Sequence, residues 1–95
     1  MLDVFARIKL LPTADGGRRS SVRTGYRPNI RFGDLYTDGS FTFVDREEAL
    51  PGDECEARLT FVNPSYVSDY LQVGSRFDIT EGPRKVGEGQ ILSIP

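Results

Sequence analysis

Two oppositely charged segments hold most of the side chains of this chain that could do chemistry. Residues 16–32, GGRRSSVRTGYRPNIRF, contain five arginines, and the arginine guanidinium matches the geometry of a phosphate group. Residues 45–56 carry six acidic side chains and one basic side chain, Arg46. The first segment is a candidate for binding a nucleic-acid backbone. The second is a candidate for general acid/base catalysis or cation binding.

The rest of the composition argues against an enzyme. The chain has no histidine, which excludes the Ser-His-Asp and Cys-His mechanisms and the usual imidazole metal sites. Glu47, Glu48 and Asp53 lie in a polar, turn-rich segment without the spacing of oxygen ligands, so we interpret them as a solvated acidic loop. Cys55 has no neighbouring base to activate it and is interpreted as a small strand residue. We predict no catalytic residues, no metal and no cofactor.

Neither common nucleotide-binding motif is present. The sequence has no GxxxxGK[ST] phosphate loop, and VGEGQIL, at residues 86–92, has only two of the glycines of a GxGxxG fingerprint and leads into a predicted strand. We therefore expect no bound nucleotide.

The length and the cysteine count limit the architecture and the compartment. A chain of 95 residues fits one domain, residues 1–95, since single cores usually contain about 50 to 200 residues. One cysteine cannot form an intrachain disulfide, which is typical of a reducing, cytoplasmic protein. No segment approaches the roughly 18 apolar residues of a membrane span. We expect a cytoplasmic domain that does not enter the membrane.

Hydrophobic periodicity predicts a small all-β domain. VFARIKL, at residues 4–10, alternates apolar and polar side chains with the period of a strand that has one face in a core. Five further short runs follow turn signals, namely NIRF, SFTFV, CEARLTFV, SRFDI and GQILSI. A single helical turn is predicted near residues 67–71. About six short strands predict a small antiparallel barrel or sandwich, because closing a sheet protects its edges.

Three motifs resemble, in their order and spacing, the C-terminal, third domain of elongation factor Tu, the bacterial translation GTPase. They are GGRRSSVRTGYRPNIRF, ALPGDECEARLTFVNP and RFDITEGPRKVGEGQIL, and the resemblance covers about residues 4–94. Their counterparts in the family are a GGRH-type loop with a YRP, an MPGD turn and an RFAIREGGRTVGAG-like ending. The resemblance implies a six-stranded antiparallel β-barrel. It also implies a stand-alone domain, because the GTP-binding domain of the full factor has no counterpart here.

The same resemblance implies a role in binding. In the family this domain contacts the T-stem backbone of aminoacyl-tRNA, packs against the GTPase domain and touches the nucleotide-exchange factor. Arg18 matches the arginine that reaches a T-stem phosphate, Asn29 matches a glutamine that touches the T-stem, and Glu81 matches the glutamate at its minor groove. Asn63 stands where some members carry a phosphate-binding lysine, so one such contact is missing.

Three functions remain open. The favoured one is a non-catalytic module that binds another protein, such as a translation-associated adaptor. The second is an RNA-binding module that contacts a tRNA T-stem-like backbone through Arg18, Asn29 and Glu81. The third is a hydrolase or metal enzyme built on the acidic segment. A pI of about 5.0 weighs against RNA, because nucleic-acid-binding domains are usually basic.

The arginines also have a structural interpretation without any ligand. In it Arg27 is partly buried beside Pro28 and pairs with a carboxylate, while Arg18, Arg19 and Arg23 are solvated loop residues. Tyr26 is then a partly buried aromatic residue whose hydroxyl is hydrogen-bonded.

Overall fold

Eight strands make up most of the computed structural model of this chain, which describes residues 2–95. They are β1 (Leu2–Leu10), β2 (Val22–Arg23), β3 (Asn29–Phe32), β4 (Leu35–Phe43), β5 (Glu48–Ala49), β6 (Glu54–Phe61), β7 (Arg76–Glu81) and β8 (Arg84–Ser93). Six of them form a closed barrel in the order β1-β6-β4-β3-β7-β8, and every neighbouring pair is antiparallel. The predicted fold class, an all-β, six-stranded antiparallel barrel, is confirmed.

The six predicted strands correspond to the six barrel strands. The two strands that sequence analysis did not predict, β2 and β5, contain two residues each and pair only with one another, through Val22 with Ala49 and Arg23 with Glu48. Two residues are too few to show a period. Val22 and Ala49 are nonetheless buried and extend the core.

The alternation of apolar and polar residues along β1 matches the alternation of buried and outward-facing side chains. Val4, Ala6, Ile8 and Leu10 are buried, while the residues between them face outward. Three phenylalanines on other strands, Phe32, Phe41 and Phe61, are fully buried. The ring centroids of Phe32 and Phe61 lie 6.0 Å apart, a usual separation for packed aromatic rings.

Two glycines on β8 make room for this core. Gly89 lies opposite Phe77 in the register, and a Cβ atom at Gly89 would come 2.3 Å from the Phe77 ring. A Cβ atom at Gly87 would come 2.8 Å from the carbonyl oxygen of Lys9 on β1. The glycines of VGEG therefore serve strand packing, and β8 begins at Arg84, five residues before the predicted strand GQILSI.

A 3-10 helix, Pro64–Tyr70, covers one side of the barrel where a single helical turn was predicted. Val67 anchors it and is buried, and the ring of Tyr70 stacks on Phe32 with centroids 5.5 Å apart. Across residues 2–95, no helix has the length and apolar character that crossing a membrane requires.

Replacing Gly89 with alanine should destabilise the barrel. We expect this even though alanine loses less conformational entropy on folding than glycine does. We expect Gly89→Ala to lower the free energy of unfolding by about 1 to 3 kcal/mol, because the methyl group overlaps the Phe77 ring. Urea denaturation measures this change.

Ser93→Ala, at an exposed position of the same strand, is the control and should change stability by less than about 0.5 kcal/mol. Phe77→Leu should reduce the cost of Gly89→Ala, since the smaller side chain leaves room for the methyl group. An equal cost in both backgrounds would contradict the packing explanation.

Candidate functional site

Arg18, Tyr26 and Glu81 form one cluster. Arg18 follows a short 3-10 helix, Thr13–Asp15, Tyr26 lies between β2 and β3, and Glu81 ends β7. Nη1 of Arg18 donates a hydrogen bond to Oε2 of Glu81, and the Tyr26 hydroxyl donates to the same oxygen at 2.5 Å. The guanidinium carbon of Arg18 lies 5.3 Å from the centroid of the Tyr26 ring, within range of a cation–π interaction.

The loop that carries Arg18 is held by its own backbone and by Arg84 of β8. The Arg84 guanidinium donates hydrogen bonds to the carbonyl oxygens of Gly16 and Gly17. The amide of Gly17 donates to the carbonyl of Pro12 at 3.0 Å, and a Cβ atom at Gly17 would lie 2.0 Å from the carbonyl oxygen of Leu11. Only glycine fits there. The Gly-Gly pair and Arg84 thus set the position of Arg18.

Tyr26 is attached to β4 through both its backbone and its ring. The amide of Phe41 donates a hydrogen bond to the Tyr26 carbonyl at 2.9 Å, and the two rings stack with centroids 6.3 Å apart. Burial raises the pKa of Tyr26, and the Glu81 carboxylate raises it further. The hydroxyl therefore remains a donor at neutral pH. The prediction of a partly buried tyrosine with a bonded hydroxyl is confirmed.

Asn29, the third predicted RNA-contact residue, lies beside this cluster. It is half-buried at the start of β3, between Asp38 of β4 and Thr80 of β7 in the register. The hydroxyl of Thr80 donates a hydrogen bond to the Asn29 carbonyl at 3.5 Å. Glu81 is the next residue along β7, so the structure brings Arg18, Asn29 and Glu81 to one region of the surface.

The structural interpretation of the arginines was wrong in two respects. Arg18 is not a solvated loop residue, because its side chain is 23% exposed, pairs with Glu81 and also donates to the carbonyl and hydroxyl of Ser20. Arg27 is exposed, and it forms no ion pair with any of residues 2–95. The reason is that Tyr26 and Pro28 take the inward positions, which turns Arg27 between them toward solvent.

The outer face of β3, β7 and β8 carries a second ionic network. Arg31 donates a hydrogen bond to Asp78, and Nζ of Lys85 lies 3.3 Å from Asp78 and 3.1 Å from Glu88. Burial raises the pKa of Asp78, but the hydrogen bonds from Arg31 and Lys85 outweigh it and lower the pKa below its ordinary value. These two cations are thus balanced by carboxylates of the chain itself.

The acidic segment has structural partners. Glu48 accepts a hydrogen bond from the Ser21 hydroxyl at 2.9 Å, and Asp53 accepts one from the backbone amide of Leu50 across the Pro-Gly turn. Burial raises the pKa of the Cys55 thiol, which disfavours the reactive thiolate. Within residues 2–95, no three acidic or cysteine side chains converge as metal ligands would.

Sequence analysis missed a groove of about 610 Å³, which we call the Tyr66 groove. It is lined by Tyr36, Thr37, Asp38, Val62, Asn63, Ser65 and Tyr66. Three of these side chains are large, apolar in part and exposed, since Tyr36 is 44%, Val62 is 46% and Tyr66 is 61% accessible to solvent. Its residues come from β4 and from the segment that follows β6, and pairing of β4 with β6 brings these distant parts of the sequence together. No periodic pattern signals such a groove.

No protein-family model matches this chain. The barrel and the side chains at its surface are the features that bear on function. Two features bear on it: the cluster of Arg18, Tyr26 and Glu81, whose charges balance, and the Tyr66 groove, whose apolar surface is open.

Tyr26 and its acceptor Glu81 should be energetically coupled. We expect Tyr26→Phe and Glu81→Ala each to lower the free energy of unfolding by about 1 kcal/mol, and the double variant to lose less than the sum. The reason is that both changes remove the same hydrogen bond. Thermal and urea denaturation of the four proteins measure the coupling. Tyr66→Phe, at an exposed tyrosine, is the control, and strict additivity would contradict the shared contact.

Asp78 should make stability depend on pH in the acid range. Because its pKa is lowered on folding, the unfolded chain binds this proton more tightly, so Asp78 stabilises the fold above the ordinary aspartate pKa of about 3.9 and loses that effect as pH falls through the lowered value. The stability difference between the wild type and Asp78→Asn should be largest near neutral pH and shrink below about pH 4.

Urea titrations at several pH values measure this difference. Asp34→Asn, in the turn after β3, controls for the loss of one negative charge at an exposed position. A difference for Asp78→Asn that is constant across the acid range would contradict the assignment.

Proposed function

We propose that this chain is a non-catalytic binding module, related to the third domain of elongation factor Tu, that binds a partner protein through the Tyr66 groove. A closed six-stranded antiparallel barrel is the fold that the resemblance implies. The matching residues also have roles in building it: Gly16 and Gly17 with Arg84 form the loop, and Gly87 and Gly89 fit the core. These roles support the relationship.

The observation that carries protein binding is the exposure of Tyr36, Val62 and Tyr66 in a single groove. Large apolar side chains scattered singly over a surface need no explanation, whereas their grouping in one groove supports an interaction site there. Tyrosine is enriched at protein interfaces because it offers a large apolar ring with one polar end. The groove supplies two such rings beside an aliphatic side chain.

RNA binding is the second candidate, and the proximity of Arg18, Asn29 and Glu81 favours it. The charges of the same residues oppose it. A phosphate that approached Arg18 would compete with the Glu81 carboxylate, which already occupies Nη1, and Asn29 is flanked by Asp38. Attraction of RNA depends on net positive charge, whereas the chain carries a formal net charge of −2.

In this proposal the protein acts in the cytoplasm, as an adaptor in or near translation. In the same proposal these residues bind no nucleotide, in keeping with the lack of a GxxxxGK[ST] phosphate loop among residues 1–95. The acidic segment has a structural role, consistent with the contacts of Glu48 and Asp53.

Affinity capture with matched variants tests this function. Tagged wild type, Tyr66→Ala and Val44→Ala would be incubated with a lysate of the source cell at low salt, and the bound proteins and RNA quantified. We expect a protein that is retained by the wild type and by Val44→Ala but lost by Tyr66→Ala. Val44 is 60% exposed just beyond the far end of β4, so its variant controls for the loss of an exposed apolar side chain.

Three results would overturn the proposal. Enrichment of tRNA that Arg18→Ala abolishes would establish the RNA-binding function in its place. Equal retention of the same proteins by the wild type and Tyr66→Ala, or no specific retention at all, would remove the groove as the binding surface.

A further inference from the structure

We infer that the Tyr66 groove binds an arginine side chain of the partner, presented by a segment with flanking apolar residues. This inference rests on the proposed function, in that it names the chemistry of the partner for the same groove. It is carried by three properties of the groove: its unbalanced negative charge, its aromatic walls and its neutral hydrogen-bonding groups.

The groove has a carboxylate but no cation. Asp38 is exposed and is the one charged residue among those lining it. A shallow depression that shares Ser65 and Tyr66 with the groove adds a second exposed carboxylate, Asp69. Neither Asp38 nor Asp69 takes part in an ion pair within residues 2–95.

The nearest cation on the neighbouring strand is already engaged. Arg31 lies opposite Tyr36 in the register of β3 and β4, but its guanidinium pairs with Asp78 on the other side, on β7. The side-chain hydrogen bond to Asp78 is the main reason that the pKa of Arg31 is raised, and the hydroxyl of Tyr36 raises it further. Arg31 therefore reaches the edge of the groove at Tyr36, but its ion pair is with Asp78, and Asp38 and Asp69 stay free of ion pairs with residues 2–95.

The aromatic walls favour a guanidinium over other cations. Tyr36 on β4 and Tyr66 in the 3-10 helix both line the groove and are both exposed. An arginine stacks on aromatic faces through both cation–π and planar contacts, whereas an ammonium ion is more strongly hydrated and makes a point contact. A carboxylate such as Asp38 can then accept two parallel hydrogen bonds from the guanidinium.

The remaining lining residues fit the flanking segment of such a partner. Val62 offers an apolar contact for an aliphatic neighbour of the arginine, and Thr37, Asn63 and Ser65 offer neutral donors and acceptors for a peptide backbone. An anionic ligand such as RNA is disfavoured here, since Asp38 would repel a phosphate and no lysine or arginine lines the groove.

An NMR titration with a defined peptide tests the inference. The ¹⁵N-labelled protein would be titrated with acetyl-Gly-Leu-Arg-Leu-Gly-amide, and with the same peptide carrying citrulline, which keeps the shape of arginine without its charge. We expect the arginine peptide to shift the amide signals of Thr37, Asp38, Asn63 and Ser65. The citrulline peptide should bind with an affinity at least about fivefold lower. A lysine peptide should fall between the two.

Protein variants locate the interaction. Asp38→Asn and Tyr66→Ala should each lower the affinity for the arginine peptide by about fivefold. Asp15→Asn, which removes an exposed carboxylate elsewhere, should leave this affinity unchanged. A variant is informative only if its amide signals keep the chemical-shift dispersion of the folded barrel. Tyr66→Phe provides a second variant that retains the ring and should bind almost as the wild type does.

The outcomes separate this inference from the proposed function. Equal binding of the arginine and citrulline peptides, shifts confined to another surface, or no shifts in the millimolar range would overturn the arginine site. If the peptide results fail but Tyr66→Ala loses the partner in the capture experiment, protein binding by the groove stands without the arginine site. If the peptide binds as expected and the capture shows no partner, the groove chemistry stands and the proposed function fails.

Discussion

Closure of the barrel between β1 and β8 is the constraint on which the rest of this structure depends. β8 pairs with β7 on one side and with β1 on the other, so each of the six strands has two neighbours and the barrel has no free edge. Some large side chains of the interior fit because a glycine faces them. Gly89 opposite Phe77 is the clearest example, because a single added carbon atom would overlap the ring.

The closed barrel in turn determines how the charged surface is arranged. Outward side chains on neighbouring strands lie close together, and the chain uses this proximity to pair Arg31 and Lys85 with Asp78. Arg84, at the start of β8, donates hydrogen bonds to the loop before β2. These bonds position Arg18 beside Glu81. Arg18 and Arg31 of the arginine-rich segment are therefore neutralised by carboxylates of the chain itself, whereas Arg27 stays exposed.

The Tyr66 groove differs from this face because its charge and its apolar surface are both left open. The chain leaves β6 at Phe61, crosses to the helix Pro64–Tyr70 and is anchored there by Val67. That crossing places Val62 and Tyr66 against Tyr36 without covering any of them. The proposed partner would cover these side chains, and for that reason the proposal places the interaction at this surface rather than at the arginine cluster.

Local sequence determined the strands of this protein, and tertiary structure decided which surface is free to bind. The period of two in VFARIKL and the turn signals between the later runs predict the six barrel strands, because each of these signals acts within a few residues. The resemblance of three motifs pointed to the region of Arg18, Asn29 and Glu81. The ion pair of Arg18 could not be predicted from local sequence signals, because its partner Glu81 lies 63 residues away along the chain. The same holds for the groove, whose walls are joined only by pairing of β4 with β6. Charge neutralisation and exposure depend on contacts between distant segments, and those contacts exist only once the barrel has closed.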